Sequence, residues 1–151
     1  MTRAPQMLID DLTTIRQWAQ GGRQVPYPEI DTINVLVGDG ANVLTSGIKA
    51  AIHVDFNALI TASYVHEFDG LTGSIVLAID KAAYVTGAAP SFTSIVGSAP
   101  PSMTSARYAA DTTLVGWTRQ INRNDVLRVS VTSQTNLTRV LLALRVRRLE
   151  P

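Results

Sequence analysis

The chain reads as an all-β protein, an antiparallel two-sheet sandwich of jelly-roll type with about eight short strands. Three observations predict it. From Thr32 onward, apolar residues recur at every second position, the period of a half-buried strand. Turn-forming clusters such as Gly38-Asp-Gly40 and Phe68-Asp-Gly-Leu-Thr-Gly73 punctuate these runs. No helical pattern of comparable length lies between them, which argues against a parallel sheet with crossover helices. An immunoglobulin-like or other Greek-key order fits the same pattern.

Residues 1–31 stand apart. Leu8, Leu12, Ile15 and Ala19 recur at helical spacing, with Ile9 and Trp18 beside them. Pro5 suits a helix start, and Asp10 and Asp11 favour the first turns, where the helix dipole is positive. Gly21-Gly22 ends the helix, because glycine takes the left-handed conformation at little cost. Val25-Pro-Tyr-Pro-Glu29 then makes a stiff, extended connector. The expected division is 1–31, a short N-terminal helix on a tether, and 32–151, the sandwich. A lone helix this short is marginal in water. Leu8, Leu12, Ile15 and Trp18, with Tyr27 of the tether, are therefore the candidate anchor contacts to a partner chain. Packing of the helix on its own sandwich is the alternative.

Within the sandwich, Ile33, Val35 and Val37 mark the first strand, and Ile48, Ala50, Ile52 and Val54 one face of the second. Ile60, Ala62 and Tyr64 mark a third, and Ile75, Leu77 and Ile79 a fourth. Residues 82–110 are rich in Ala, Ser, Gly and Pro and read as a long loop with a short strand near Phe92–Val96. Asp111–Val131 reads as strand, polar turn and strand, with strands expected at Thr112–Thr118 and Val126–Thr132. In the last strand, Thr138–Arg147, Val140, Leu142, Leu144 and Val146 face one way. Leu141, Ala143, Arg145 and Arg147 face the other.

Composition narrows the function classes. A domain of this size buries about 70% of its unfolded surface and needs no disulfide or metal to fold. The chain has no cysteine, which excludes disulfides, thiolate zinc sites and thiol nucleophiles. Its first residues lack the basic start and apolar run of a secretory signal. Its longest apolar stretch, Val140–Leu144, is too short to cross a bilayer. A soluble protein made in the cytoplasm, without a membrane partner, is the expectation. The net charge of +1 conceals an asymmetry: residues 1–106 carry five basic and nine acidic side chains, and residues 107–151 carry eight and three. All eight of those basic residues are arginine, which forks onto carboxylates and suits interfaces and anion sites. Mutual compensation of the two halves inside the sandwich is the simpler reading.

No catalytic constellation is visible. His53 and His66 are the only histidines, and neither has a partner at metal-ligand spacing. His66, Glu67 and Asp69 are ordinary loop groups. The aspartates fall at strand ends and turns, where their side chains bond nearby amides. No serine lies in a G-x-S-x-G elbow, and Gly38-Asp-Gly40 does not open a helix as a phosphate loop would. A non-enzymatic protein without a cofactor is expected. Arg145, Arg147 and Arg148 lie on a strand face and tail without the aromatic platforms that bases need, so nucleic acid is not an expected partner. Trp117 and Tyr64 read as packing aromatics. The sharper alternative is sugar stacking by Trp117, with Tyr84 of the long loop.

Several segments carry a resemblance: Ser46-Gly47-Ile48-Lys49, Gly73-Ser74-Ile75-Val76 and Ser98-Ala-Pro-Pro-Ser-Met103. It continues through Asp111-Thr-Thr-Leu-Val-Gly-Trp-Thr118, Asp125-Val-Leu-Arg128 and Thr138-Arg139-Val140. Residues 33–147 resemble a β-sandwich domain of tailed-bacteriophage virion proteins, found in capsid decoration, head-fibre and spike proteins. The resemblance implies a virion component, a homotrimer, and the major capsid protein or another virion protein as partner. A capsid decoration or cement protein on the virion surface, anchored by its N-terminal arm, is the function expected. A short head or tail fibre or spike module binding host-surface glycans is the alternative.

Overall fold

The computed structural model describes residues 29–150. The expected helix, with Leu8, Leu12, Ile15, Trp18 and Tyr27, lies outside the described residues. The described chain is all-β and forms two antiparallel sheets. Its strands are β1 (Ile30–Gly38), β2 (Gly47–His53), β3 (Ala58–His66), β4 (Gly73–Ala82), β5 (Thr93–Ser94), β6 (Ser102–Ala106), β7 (Tyr108–Asp111), β8 (Gln120–Ile121), β9 (Val126–Thr135) and β10 (Arg139–Arg148). The first sheet runs β1-β10-β3, with the short β7 and β8 both paired to β3. The second runs β2-β9-β4, with β5 and β6 both paired to β4. Most connections carry the chain from one sheet to the other.

Period-two alternation explains the core. Val35 and Val37 of β1, Val140, Leu142, Leu144 and Val146 of β10, and Ile60 and Val65 of β3 are buried on the inner face of the first sheet. They meet Ile75, Leu77 and Ile79 of β4 and Leu127, Val129 and Val131 of β9. Leu44, Leu114, Trp117 and Leu137 close the ends from loops. The apolar faces read in the first, fourth and last strands are thus surfaces the two sheets bury against each other, whereas register shifts turn Ile48 out to 62% exposure and place Ala62 and Tyr64 on the face opposite Ile60.

Three expectations need correction. Thr112–Thr118 is a turn, not a strand. The Asp111 carboxylate accepts from the Thr113 and Leu114 amides, at 2.9 and 3.0 Å, and from the Thr113 hydroxyl. Leu114 and Gly116 take φ of 50° and 77°, and the Trp117 amide donates to the Leu114 carbonyl. This local bonding outcompetes the strand expected over these residues. Second, residues 82–110 contain β5, β6 and β7. Their small polar residues bury little, with only Met103 buried within β6, so the strand pattern is hidden. With β8, these pieces give ten strands among the described residues where about eight were expected. Third, β1 begins at Ile30, ahead of the boundary expected at residue 32.

The charge asymmetry resolves into five clasps. Arg107 pairs with Glu67, Arg123 with Asp55, Arg128 with Asp80, Arg139 with Asp69 and Arg148 with Asp31. Each joins an arginine of the basic C-terminal part to an acid of the first part. Arg128, Arg139 and Arg148 also lie over the rings of Phe92, Phe68 and Phe56, at 4.1, 4.7 and 4.3 Å. A planar guanidinium serves both contacts at once, which a lysine ammonium does not.

Two outcomes follow from this packing. A Cβ on Gly73 would lie 2.3 Å from the Thr135 carbonyl oxygen and 2.7 Å from Leu137 Cγ. Gly73→Ala is expected to cost about 1–3 kcal/mol, read as a lower urea midpoint; an unchanged midpoint would contradict the packing at this corner. The second concerns acid. The Asn42 and Ala41 amides hold Asp39 down to about 2, from an ordinary value of 3.8. The Leu114 and Thr113 amides lower Asp111, and the Thr32 amide followed by Arg148 lowers Asp31. A carboxyl whose folded-state pKa is depressed stabilises the fold fully above its unfolded value and loses that contribution as pH falls through the folded one. Melting temperature should therefore hold down to about pH 4 and then fall toward about pH 2. An Asp39→Asn, Asp111→Asn variant should show a shallower fall, and an equally steep one would refute the assignment.

Candidate functional site

The outer face of the first sheet gathers a contiguous set of exposed and half-buried side chains among the described residues. The registers place Leu36 of β1, Leu141 of β10, His66 of β3 and Tyr108 of β7 in one row across the sheet. The next row holds Asn34, Ala143, Tyr64 and Ala110. Beyond it come Thr32 and Arg145, then Ile30, Arg147 and Leu59. Alternation drives these residues outward, because Val35, Leu142, Leu144 and Val65 take the inward positions between them. Leu36 is 54% exposed and Tyr108 53%.

The aromatic part is contiguous. The Tyr64 and His66 rings lie 6.3 Å apart and 18° from parallel. Tyr108 reaches His66 from the neighbouring strand, with centroids 5.0 Å apart. Arg145 lies over Tyr64 at 5.9 Å, near the outer limit for a cation–π contact. Arg145 and Arg147 are exposed and have no acidic partner among the described residues. One end of the face is thus aromatic and apolar, and the other cationic.

The sequence candidates fall elsewhere. Trp117 is 8% exposed, and its indole N–H donates to the Ala99 carbonyl at 2.7 Å. A ring so placed offers no free face to a sugar; it is a core aromatic with its polar edge satisfied. Tyr84, 65% exposed, follows the end of β4, so the two do not form a joint platform. Arg148 is held by Asp31 and Phe56. The outward set of Leu141, Ala143, Arg145 and Arg147 was legible from alternation. The meeting of His66 and Tyr108 was not, because it depends on the pairing of β3 with β7.

Next to this face, Glu67 organises the loop between β3 and β4. It is 6% exposed, and it accepts from the Asp69 and Leu71 amides at 2.6 and 3.0 Å and from Arg107 Nε at 3.2 Å. Asp69 receives a forked contact from Arg139, which raises the Arg139 pKa through that hydrogen bond. These carboxylates, adjacent in sequence to His66, are thus committed to structure. A shallow cleft of about 300 Å³ opens between the loop before β6 and the strand β7, lined by Ser98, Pro100, Ser102, Ala110 and Asp111. Its one charged group, Asp111, already holds the turn that follows.

No known family pattern matches the chain, and no curated protein does. Among solved structures it is similar to the CBM22-1 xylan-binding domain of Paenibacillus barcinonensis Xyn10C, at 10% identity and a TM-score of 0.41, over 81% of this chain and 86% of that one. It is also similar to the capsid of Ralstonia phage GP4, at 11% identity and a TM-score of 0.43, over 84% and 89%. A third is infectious bursal disease virus Gx strain, at 12% identity and a TM-score of 0.29, over 80% of this chain and 40% of that one. Likenesses this distant carry no argument about activity or partner.

Removing the buried acceptor tests the loop. Glu67→Ala strands the Asp69 and Leu71 amides and is expected to cost about 2–4 kcal/mol in urea unfolding. A loss within about 0.5 kcal/mol, the range of an ordinary surface substitution, would show that water replaces the carboxylate.

Proposed function

We propose that the chain is a non-enzymatic structural protein of a tailed-phage virion, a capsid decoration protein whose sandwich is held to the shell by the arm at residues 1–28. One observation carries the arm's part in this reading. Among the described residues, the inner faces of the two sheets fill each other, and the clasp around Arg148 ties off the start of β1. The Arg148 amide donates to the Glu29 carbonyl at 2.8 Å, its guanidinium to Asp31, and it covers Phe56. The core of the described residues closes without the arm, and on this reading Leu8, Leu12, Ile15, Trp18 and Tyr27 contact a partner such as the major capsid protein. A pull on the arm passes into the nine-residue ladder of β1 against β10, the middle strand of its sheet.

The resemblance to phage virion sandwiches supports the same reading. So does the strand order, β1-β10-β3-β7 facing β2-β9-β4 with β5 and β6, which fits a jelly roll whose last strand position in each sheet is split in two. In this role each copy bridges shell subunits against internal DNA pressure. A homotrimer would multiply weak arm contacts into firm attachment, since linked sites bind at high effective concentration. The fibre or spike alternative draws support from the outward aromatic row of Tyr64, His66 and Tyr108 rather than from Trp117.

Co-sedimentation with capsids lacking this component tests the proposal. The full chain and a fragment beginning at Glu29 are compared, with circular dichroism as the folding control. Full-length binding that is lost in the folded fragment, and lost again in Leu12→Ser, Trp18→Ser, is the expected result. Undiminished attachment by the double variant would sink the arm as anchor.

A further inference from the structure

Among the described residues, the arginines are almost fully accounted for by internal partners. Five of the eight described ones clasp carboxylates. Arg119 donates to the Thr113 carbonyl beside Asp111. Arg145 and Arg147 are left. They stand two residues apart on the outward side of β10, flanked by Thr32 and Ile30 on β1. Two adjacent guanidinium groups with no counter-charge repel each other, and a bound anion between them relieves that repulsion. The four rows of the face contribute no carboxylate. The aromatic rings begin one row away, at Tyr64. From the row of Tyr108 to that of Arg147 is three steps of two residues, about 20 Å along the strands.

We infer that this outer face binds an extended anionic polysaccharide, with carboxylates on Arg145 and Arg147, sugar faces on Tyr64 and Tyr108, and hydroxyls on His66 and Asn34. The inference does not rest on the arm: a decoration knob and a fibre head would present the same face. Charge complementarity selects this occupant over the others. A second copy of the face would set arginine against arginine, or bury it against Leu36 and Leu141 without a partner, and both are unfavourable. Single-stranded nucleic acid needs positive charge along its whole track, and here the charge is confined to one end. A folded protein partner wants a pocket for an anchor residue, and the middle of a sheet provides none. An acidic polysaccharide supplies ring faces and hydroxyls for the aromatic end of the surface and carboxylates for its cationic end, without needing positive charge under every ring.

The test titrates the full-length protein calorimetrically at low salt with polygalacturonate and hyaluronan. Neutral dextran, polyglutamate and oligothymidylate are the comparison probes. Binding to at least one acidic glycan and not to dextran is expected, weakened about tenfold or more by Arg145→Gln, Arg147→Gln and several-fold by Tyr108→Ala. Arg123→Gln, which alters an exposed pair with Asp55, should leave it unchanged. All three variants lie on the surface, and a thermal melt checks their folding. No binding to either acidic glycan overturns the inference, as does equal affinity in the double arginine variant. Tighter binding of polyglutamate or oligothymidylate overturns it in favour of an acidic peptide or a nucleic acid. Capsid sedimentation of the double variant separates the two proposals: it stays intact if the arm is the anchor, whatever the glycan result.

Discussion

Both sheets are built around the last two strands. β9 lies between β2 and β4, and β10 between β1 and β3, so neither sheet is complete until residues 126–148 are in place. The corner between them carries much of the constraint. Leu137 is fully buried. Gln134 donates to the Leu44 carbonyl and accepts from the Leu137 amide, and Asn136 reaches the Thr72 carbonyl. Two connections, β1–β2 and β3–β4, are therefore fixed by the turn between β9 and β10. Close approach there demands glycine: a Cβ on Gly38 would lie 2.2 Å from the Thr138 carbonyl oxygen, at a φ of +98°. Pairing of strands so distant along the chain is entropically costly before it stabilises anything, and such folds form slowly.

The charges follow from the same topology. Because β10 and β9 enter between strands of the first half, the arginines they carry arrive beside the carboxylates of that half. Arg128 meets Asp80 across the pairing of β9 with β4. Arg148 meets Asp31 at the end of the pairing of β10 with β1. The preference for arginine over lysine is explained where a guanidinium must fork onto an acid and cover a phenyl ring together. Near-neutral net charge is then a product of internal matching, and the outer face of the first sheet is where matching stops.

Most of this was legible in the sequence wherever large apolar residues alternate. The runs at Ile33–Val37, Ile75–Ile79 and Val140–Val146 appear as β1, β4 and β10. Legibility failed where side chains are small or where a local hydrogen bond competes. Ser102–Ala106 and Tyr108–Asp111 are strands because neighbouring backbones pair with them, and their own pattern says little. Asp111 converts an apparently alternating stretch into a turn by capping two amides. For the site, the outward side of β10 could be read directly, whereas the Tyr64, His66 and Tyr108 cluster needs the register between strands. Trp117 was legible as a packing aromatic, since its indole N–H finds a carbonyl inside and the ring stays in the core; Tyr64, read the same way, lies instead on the outer face.

The edges of the sheets bear on the roles proposed for the arm and the outer face. β2 is guarded by a register shift around Lys49, and the far edges of β3 and β4 are each covered by two short strands rather than one long one. Such devices discourage pairing with other chains. β1 differs, since its nine residues pair with β10 without a register shift and its other side is an edge of the sheet. Immediately upstream, Pro26 and Pro28 lack the N–H groups needed to extend the ladder, and among the described residues the clasp of Arg148 on Glu29 and Asp31 marks the start of the pairing. Contacts made by the arm therefore need not propagate into the sheet as a longer strand. In the proposed roles, an anchoring arm and a recognition face would then meet only at the start of β1.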